Sequence, residues 1–456
     1  MKTINQSKCF DVIILGGGPA GTAAGMTLLK RKGTSVAIVE KLDYSSYRIG
    51  ESLTPGIRSL LEYLDVWKTF EKEQSLQSFG SQAAWGSDSL QSLDYMFTIH
   101  GTGWGLDRVR FDKMLASSFS ERGGNLLTKT QFLGCERTPE NTWKVEIKGA
   151  DNSVEYIYCK YLIDATGRRG LLVRQFGGIR KKHDNLVGVG CVGDIPAGVS
   201  LESVTQVEAC EYGWWYTSPV PGNQVSVVLM SDADIVSELQ ASRPSKWRAL
   251  LKSMPLTSER IEGVTFTKKP KTFLAFSSYL QDVGGENWVA VGDAVASHDP
   301  LSSSGIPHAI GSGVHGGLMA ANALFGNGQM LESYKESIYK DFFQYLQTRW
   351  KYYQREARWE NSLFWKRRRT PIRIAANAAL EVIKTSMEQN VYPSTHLPSA
   401  LLKELHECCQ TGIAAHQVIS TFTNKHPQFP DEEVILGLQE LMKNGYVAFQ
   451  ESLALA

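Results

Sequence analysis

The run Asp11 to Leu15 passes straight into Gly16-x-Gly18-x-x-Gly21, and this junction constrains the fold more than any other feature of the chain. A helical pattern follows from Pro19 to Lys32, and a second run of β-formers extends from Ser35 to Glu40. Strand, glycine turn, helix and strand in that order make a βαβ unit with parallel strands. Each glycine has its own role: Gly16 makes the turn, Gly18 admits a pyrophosphate to the backbone, and Gly21 lets helix and strand close up. The helix start at Pro19 and Ala20 stabilises the phosphate charge. Glu40, nineteen residues after Gly21, stands where an acid accepts hydrogen bonds from an adenosine ribose, and Lys41 follows it. A carboxylate there disfavours a 2′-phosphate, so FAD or NAD is expected rather than NADP.

Context separates this match from two others. Gly188-x-Gly190-x-x-Gly193 falls inside a predicted strand and is read as accidental. Gly311-x-Gly313-x-x-Gly316 falls inside a predicted helix, where small residues permit close packing. At 456 residues, 42% apolar and 21% charged, the composition is that of a soluble globular protein of two or three packed units, not a disordered, collagenous or coiled-coil chain. Lys and Arg number 48 against 47 Asp and Glu, which gives no global drive toward nucleic acid or anionic membrane. The seven scattered cysteines lack a CxxC pair, so neither a metal site nor a disulfide scaffold is expected. The first apolar run is too short for a signal-peptide core and no 18-residue apolar stretch occurs, which points to a reduced, cytoplasmic protein.

The expected class is α/β: a Rossmann-like domain over 1–180 and 275–330, with an antiparallel β-sheet substrate region inserted over 75–105 and 181–274. The inserted strands are Leu186 to Val192, Val204 to Cys210, Trp214 to Thr217 and Gln224 to Met230. A helix capped by Thr54, with Pro55 first, buries Ile57, Leu60, Leu61 and Leu64. A helical region follows over 331–395, and a winged-helix-like appendage over 396–456. That appendage holds three Lys, no Arg and seven acids, a net of 3 − 7 = −4, so it suits a protein partner rather than nucleic acid.

Far down the chain, Val289-Ala290-Val291-Gly292-Asp293-Ala294, followed by Pro300 and Ser304-Gly305-Ile306, resembles the GD box of flavoprotein hydroxylases. The resemblance implies FAD: Asp293 on the ribityl chain, and the Pro300 to Ile306 backbone against the flavin. Leu106-Asp107-Arg108 resembles the family's arginine-containing helix start, which puts Arg108 toward the cofactor. Arg48-Ile49-Gly50-Glu51-Ser52 resembles the segment over the flavin in the halogenase-like branch, implicating Arg48 and Ser52. Ile163-Asp164-Ala165-Thr166-Gly167-Arg168 resembles the chain beneath the pyrophosphate, implicating Asp164 and Gly167.

Within that branch, halogenases carry a lysine after the first helix and a WxWxIP motif. Here Gln74 to His100 holds no lysine and the tryptophan segment reads WWYTSP, so halogenation is disfavoured. The stretches GWWYTSPVP, VAVGDAVASHDPLSSSGI and LDRVRFDKML are most similar to the flavoprotein monooxygenases that mature tryptophylquinone-containing amino-acid oxidases. That resemblance implies hydroxylation of a tryptophan in a partner protein, the oxidase precursor, with dioxygen as co-substrate and an external reductant such as NAD(P)H. Trp85, Trp214, Trp215 and Tyr216 are candidates for a substrate wall that stacks on an indole. Glu51 and His298 are the candidate proton carriers, and no acid or base is obligatory. Two alternatives are a hydroxylase of small aromatic molecules and a non-catalytic flavin-binding assembly factor.

Overall fold

The computed structural model describes residues 8–46, 48, 50–95, 101–326, 330–369, 374, 376–383, 397–443 and 446–450. Ile49 of the Arg48 motif and the expected boundary at 395/396 lie outside them. The chain divides into two compact units, one of Met1–Ile338 with Lys351–Trp365 and one of Tyr339–Trp350 with Lys366–Ala456.

The first unit is built on the predicted βαβ. Strand Lys8–Leu15 lies between the parallel strands Val36–Val39 and Val154–Asp164, and Asn125–Leu127 and Trp288–Ala290 extend the sheet on either side. Val12, Ile13 and Ile14 are fully buried, as a parallel strand covered on both faces requires. Helix Pro19–Leu29 packs on helix Gly305–Phe325, and two glycines of the latter, Gly313 of its GxGxxG match and Gly317 just beyond that match, explain how. A Cβ on Gly313 would lie 2.2 Å from the Ala20 carbonyl oxygen, and one on Gly317 would lie 2.7 Å from that of Ala24. Small residues here let two helices touch backbone to backbone. The remaining match, at Gly188, sits inside strand Leu186–Asp194 with Phe273 over it.

The inserted layer is a seven-stranded sheet in the order Lys271–Leu274, Leu186–Asp194, Gln224–Asp232, Gly213–Val220, Val204–Cys210, Gly80–Ala84, Gln91–Asp94. It is antiparallel except where Val204–Cys210 meets Gly80–Ala84 in parallel. The helix expected at Thr54 begins instead at Ile57 with Gly56 as its cap; Thr54 and Pro55 form the preceding turn, and Leu60 is only half-buried.

In the second unit helices Ser399–Cys408, Ala415–Lys425 and Asp431–Lys443 enclose Leu402, Leu405, Val418, Phe422, Leu438 and Leu441. Strand Val447–Phe449 pairs with Leu380–Val382, which lies upstream of the expected 396 boundary. That pairing leaves the last strand of this unit with a partner on one side rather than alone.

Candidate active site

A cleft of about 620 Å³ opens where the parallel strands end, at Leu15, Val39 and Val291. Crevices at the carboxyl ends of such strands are where open α/β sheets bind nucleotides. The backbone is prepared for close approach. A Cβ on Gly18 would find no heavy atom nearer than 3.9 Å, and Gly167 and Gly305 face open space, yet all three line the cleft. Gly16, by contrast, is held at φ +103° with the Ala165 carbonyl 2.3 Å from where a Cβ would sit, and a Cβ on Gly21 would meet the Gly16 oxygen at 1.9 Å. The turn is thus closed behind and open in front. Pro19 and Ala20 add the helix start to the lining.

Glu40 and Lys41 line the same cleft. Glu40 Oε2 accepts the Gly17 N–H at 2.7 Å and Oε1 the Leu42 N–H at 2.9 Å, so the carboxylate is fixed before any ribose arrives. Tyr44 donates to the Gly17 carbonyl at 2.8 Å; burial, then the Glu40 charge, pushes its phenol well above the ordinary range.

Asp112 was not singled out in the sequence, yet it organises the entrance. Asp112, 1% exposed, accepts Arg48 Nη1 at 2.9 Å and Arg108 Nη2 at 3.1 Å on Oδ2, and Arg108 Nε at 3.1 Å on Oδ1. Burial pulls the Arg108 guanidinium down, and Asp112, with Glu51 and Asp293 behind it, more than offsets this, leaving its pKa raised. Two permanent cations held by one buried acid form a rim suited to anionic oxygens. The i,i+4 spacing of Arg108 and Asp112 on helix Arg108–Glu121 was the available signal.

Across the cleft, Asp293 takes the Arg168 Nε at 3.1 Å, and Arg168 also donates to the His298 carbonyl at 2.9 Å. Gly292, at φ +60°, lies behind the lining; its N–H donates to Ser312 Oγ at 2.8 Å and its α-carbon backs onto Ala20. Pro300, Gly305 and Ile306 line the cleft, and the 21-residue helix from Gly305 directs its N-terminus there. Ser304 instead bonds His298 Nδ1 at 2.9 Å. Asp299 is buried and accepts the Tyr353 hydroxyl at 2.7 Å. His298 lines the cleft; burial, then His308 and Arg168, hold its imidazole well below its ordinary pKa of 6.5, so the ring is neutral. Glu51, 2% exposed, accepts Ser226 Oγ at 3.0 Å and the Gly50 N–H at 3.1 Å, and Ser52 lies 3.2 Å from Thr205 Oγ1.

Several expected residues stand elsewhere. Asp164 does not line the cleft: it is fully buried and accepts the Thr166, Leu172 and Val173 N–H groups, capping the short helix Leu171–Gln175. Burial raises its pKa against those four donors, the Thr166 hydroxyl included. Of the four aromatics only Tyr216 reaches the cleft. Successive strand residues face opposite ways, so Trp215 packs on Trp247 under one face while Trp214 goes to the other. There Trp214 donates to the Tyr353 hydroxyl at 3.1 Å and is covered, together with Trp85, by Tyr353, Phe364 and Trp365. The wall they were expected to make is formed by Tyr216, Val228, Met230, Phe273 and Leu274. Among the described residues no group of His, Cys, Asp or Glu is placed to hold a metal ion, and no helix is long and apolar enough to cross a membrane.

The sequence model of the FAD binding domain matches residues 9–338, the span that carries every element of the cleft. The chain belongs to this FAD-binding family. The flavoprotein is 32% identical over 363 residues to LodB of Marinomonas mediterranea, named as an FAD-dependent oxidoreductase, covering 79% of this chain and 96% of LodB. It is 28% identical over 326 residues to the tryptophan 2-halogenase of Chondromyces crocatus, 68% of this chain and 60% of that one. In structure it is similar to the flavin-dependent halogenase CmlS, with a TM-score of 0.73 at 16% identity over 98% of this chain and 97% of that one. The myxobacterial chondrochloren halogenase CndH gives 0.71 at 19% identity over 79% and 86%. These likenesses establish a halogenase-like flavoprotein fold, and the chain is a flavin-dependent oxidoreductase of that branch. The open glycine backbone, the fixed Glu40 and the Arg48–Asp112–Arg108 rim fit FAD: Glu40 would hold the adenosine ribose, Gly18 and Arg48 the pyrophosphate, and the Gly305 helix start the flavin.

Proposed function

We propose that this flavoprotein is a monooxygenase that hydroxylates a tryptophan side chain of a partner protein, a step in building the tryptophylquinone cofactor of an amino-acid oxidase. The observation that carries the reading is the union, in one cleft, of an FAD-shaped half with a carbon-rich wall of Tyr216, Val228, Met230, Phe273 and Leu274. The 32% identity to LodB supports it, and the absence of lysine between Gln74 and His100 weighs against halide chemistry.

FAD, once bound and reduced by an external two-electron donor such as NAD(P)H, would supply the activation of dioxygen, one oxygen atom of which passes to the ring while the other leaves as water. The chain's own residues do the rest. The apolar wall orients an electron-rich ring and excludes water. Glu51 presents a buried carboxylate at the cleft, placed to accept an indole N–H or the proton lost when the ring regains aromaticity. Neutral His298, oriented by Ser304, is a second acceptor. The helix start at Gly305 would stabilise anionic charge on a flavin held against it.

The test combines FAD-loaded protein, reductant, oxygen and a purified quinoprotein oxidase precursor, followed by peptide mass mapping. One added oxygen on a precursor tryptophan, dependent on this chain, is expected. Full reduction and reoxidation of the flavin with no oxygen on the precursor would defeat the proposal, and uptake on free indole alone would favour a small-molecule hydroxylase.

A further inference from the structure

The seven-stranded sheet ends at a strand that is also a wall of the cleft. Lys271–Leu274 pairs on its inner side with Leu186–Asp194, and no described strand pairs with its outer side. The phase of the ladder settles which groups face out. Ala275 donates its N–H to the Leu186 carbonyl at 3.0 Å, so Phe273 and Lys271, two and four residues earlier, turn their backbone groups inward against Gly188 and Gly190. Thr272 and Leu274 therefore direct N–H and C=O away from the sheet. Thr272 is exposed, its hydroxyl 3.1 Å from Ser242 Oγ, and Leu274 is 53% exposed although it lines the cleft. The opposite edge strand, Gln91–Asp94, contributes nothing to the cleft.

Charge says what such an edge accepts. From Thr265 to Leu274 the chain has three lysines, Lys268, Lys269 and Lys271, and no acid. All three are exposed, and none forms an ion pair among the described residues. Lys182 adds a further cation, 4.5 Å above the Phe276 ring just beyond the strand. Lysines and Pro270 on an edge discourage pairing with a second copy that carries the same charges. They do not discourage an acidic strand, and the same device that blocks self-association then selects the partner.

We propose that the outer edge of Lys271–Leu274 is the docking site for an extended, acidic-flanked polypeptide segment, which adds as a further strand and thereby delivers an aromatic side chain past Phe273 and Leu274 into the cleft. This rests on the reading of the substrate as a protein. Strand addition gives sequence-tolerant affinity through main-chain hydrogen bonds, while every second side chain of the guest points to the cleft face.

The test uses FAD-loaded full chain and a labelled synthetic peptide that alternates Val and Thr around one Trp, with Glu at both ends, followed by fluorescence anisotropy. Three changes are expected to weaken binding by about tenfold or more each: N-methylation of alternate peptide amides, Thr272→Pro, and the triple reversal K268E/K269E/K271E. Proline suits an edge position whose N–H faces outward, and unchanged FAD uptake confirms that each variant is folded. Binding that survives both N-methylation and Thr272→Pro overturns the proposal. The two ideas fail separately. An oxidase precursor that docks with this signature but gains no oxygen defeats the tryptophan-hydroxylase reading. Oxygen delivered equally by Thr272→Pro and wild type defeats the docking edge.

Discussion

Gly18→Ala separates the cofactor role of the glycine turn from its structural role. Gly18 sits at φ −76°, ψ −174°, a conformation open to any L-residue, and its added Cβ would have no neighbour nearer than 3.9 Å. The apoprotein should therefore be unharmed, or gain about 0.4–1 kcal/mol from a less free unfolded chain. The same methyl projects into the cleft where the pyrophosphate must approach the backbone. FAD binding should weaken by at least tenfold, about 1.4 kcal/mol. Gly21→Ala is the control with the opposite sign. Its Cβ would be driven to 1.9 Å from the Gly16 carbonyl, against backbone that cannot swing aside, so a loss of about 1–3 kcal/mol or more in the apoprotein is expected. Urea midpoints of the two apoproteins and a flavin fluorescence titration measure both effects. The reasoning is refuted if Gly18→Ala takes up FAD as tightly as wild type, or if its apoprotein is as damaged as Gly21→Ala.

Three further outcomes follow from the site. Asp112→Asn should lower apoprotein stability by about 2–4 kcal/mol, because two guanidiniums lose a buried counter-charge, and should also weaken FAD; a urea midpoint within error of wild type would contradict the role assigned to the clamp. Tyr353→Phe removes the hydroxyl that joins Trp214 to Asp299, and should cost about 1–3 kcal/mol and speed amide exchange at Leu301 and Ser302; unchanged exchange there would count against it. His298 is held neutral in the folded state, so the unfolded chain binds more protons below its ordinary pKa of 6.5 and stability falls as pH drops through and below that value. His298→Asn should flatten this slope in apoprotein melting temperatures, and an unchanged slope would assign it to other groups.

How far the residues themselves announced this site depended on whether the signal was local. The turn Gly16 to Gly21 and Glu40 were readable because strand, turn, helix and strand follow one another in the chain, and the Gly292 to Ile306 loop because its motif resembles that of a known family. The inserted strands were readable because apolar alternation shows where a strand lies. Alternation does not show what covers each face. Trp214 and Trp215 differ by one position yet enter separate cores, one beneath Tyr353 and Trp365, the other against Trp247. Asp164 illustrates the same limit, since its motif position said nothing of the helix start it caps at Leu172 and Val173.

The amino-acid order alone determined the nucleotide fold, the preference for FAD or NAD over NADP and the glycines on which both depend, because these follow from backbone sterics and charge within a few residues. FAD itself was implied by the family resemblance of the Gly292 to Ile306 segment. Only the folded chain decided that Asp112 joins Arg48 to Arg108 and that Phe273 and Leu274, not tryptophans, wall the cleft. It also left the lysine-flanked strand at the sheet's open edge. Such pairings link residues tens to hundreds of positions apart, and which of them form is settled by how layers stack, a constraint no short stretch of chain contains.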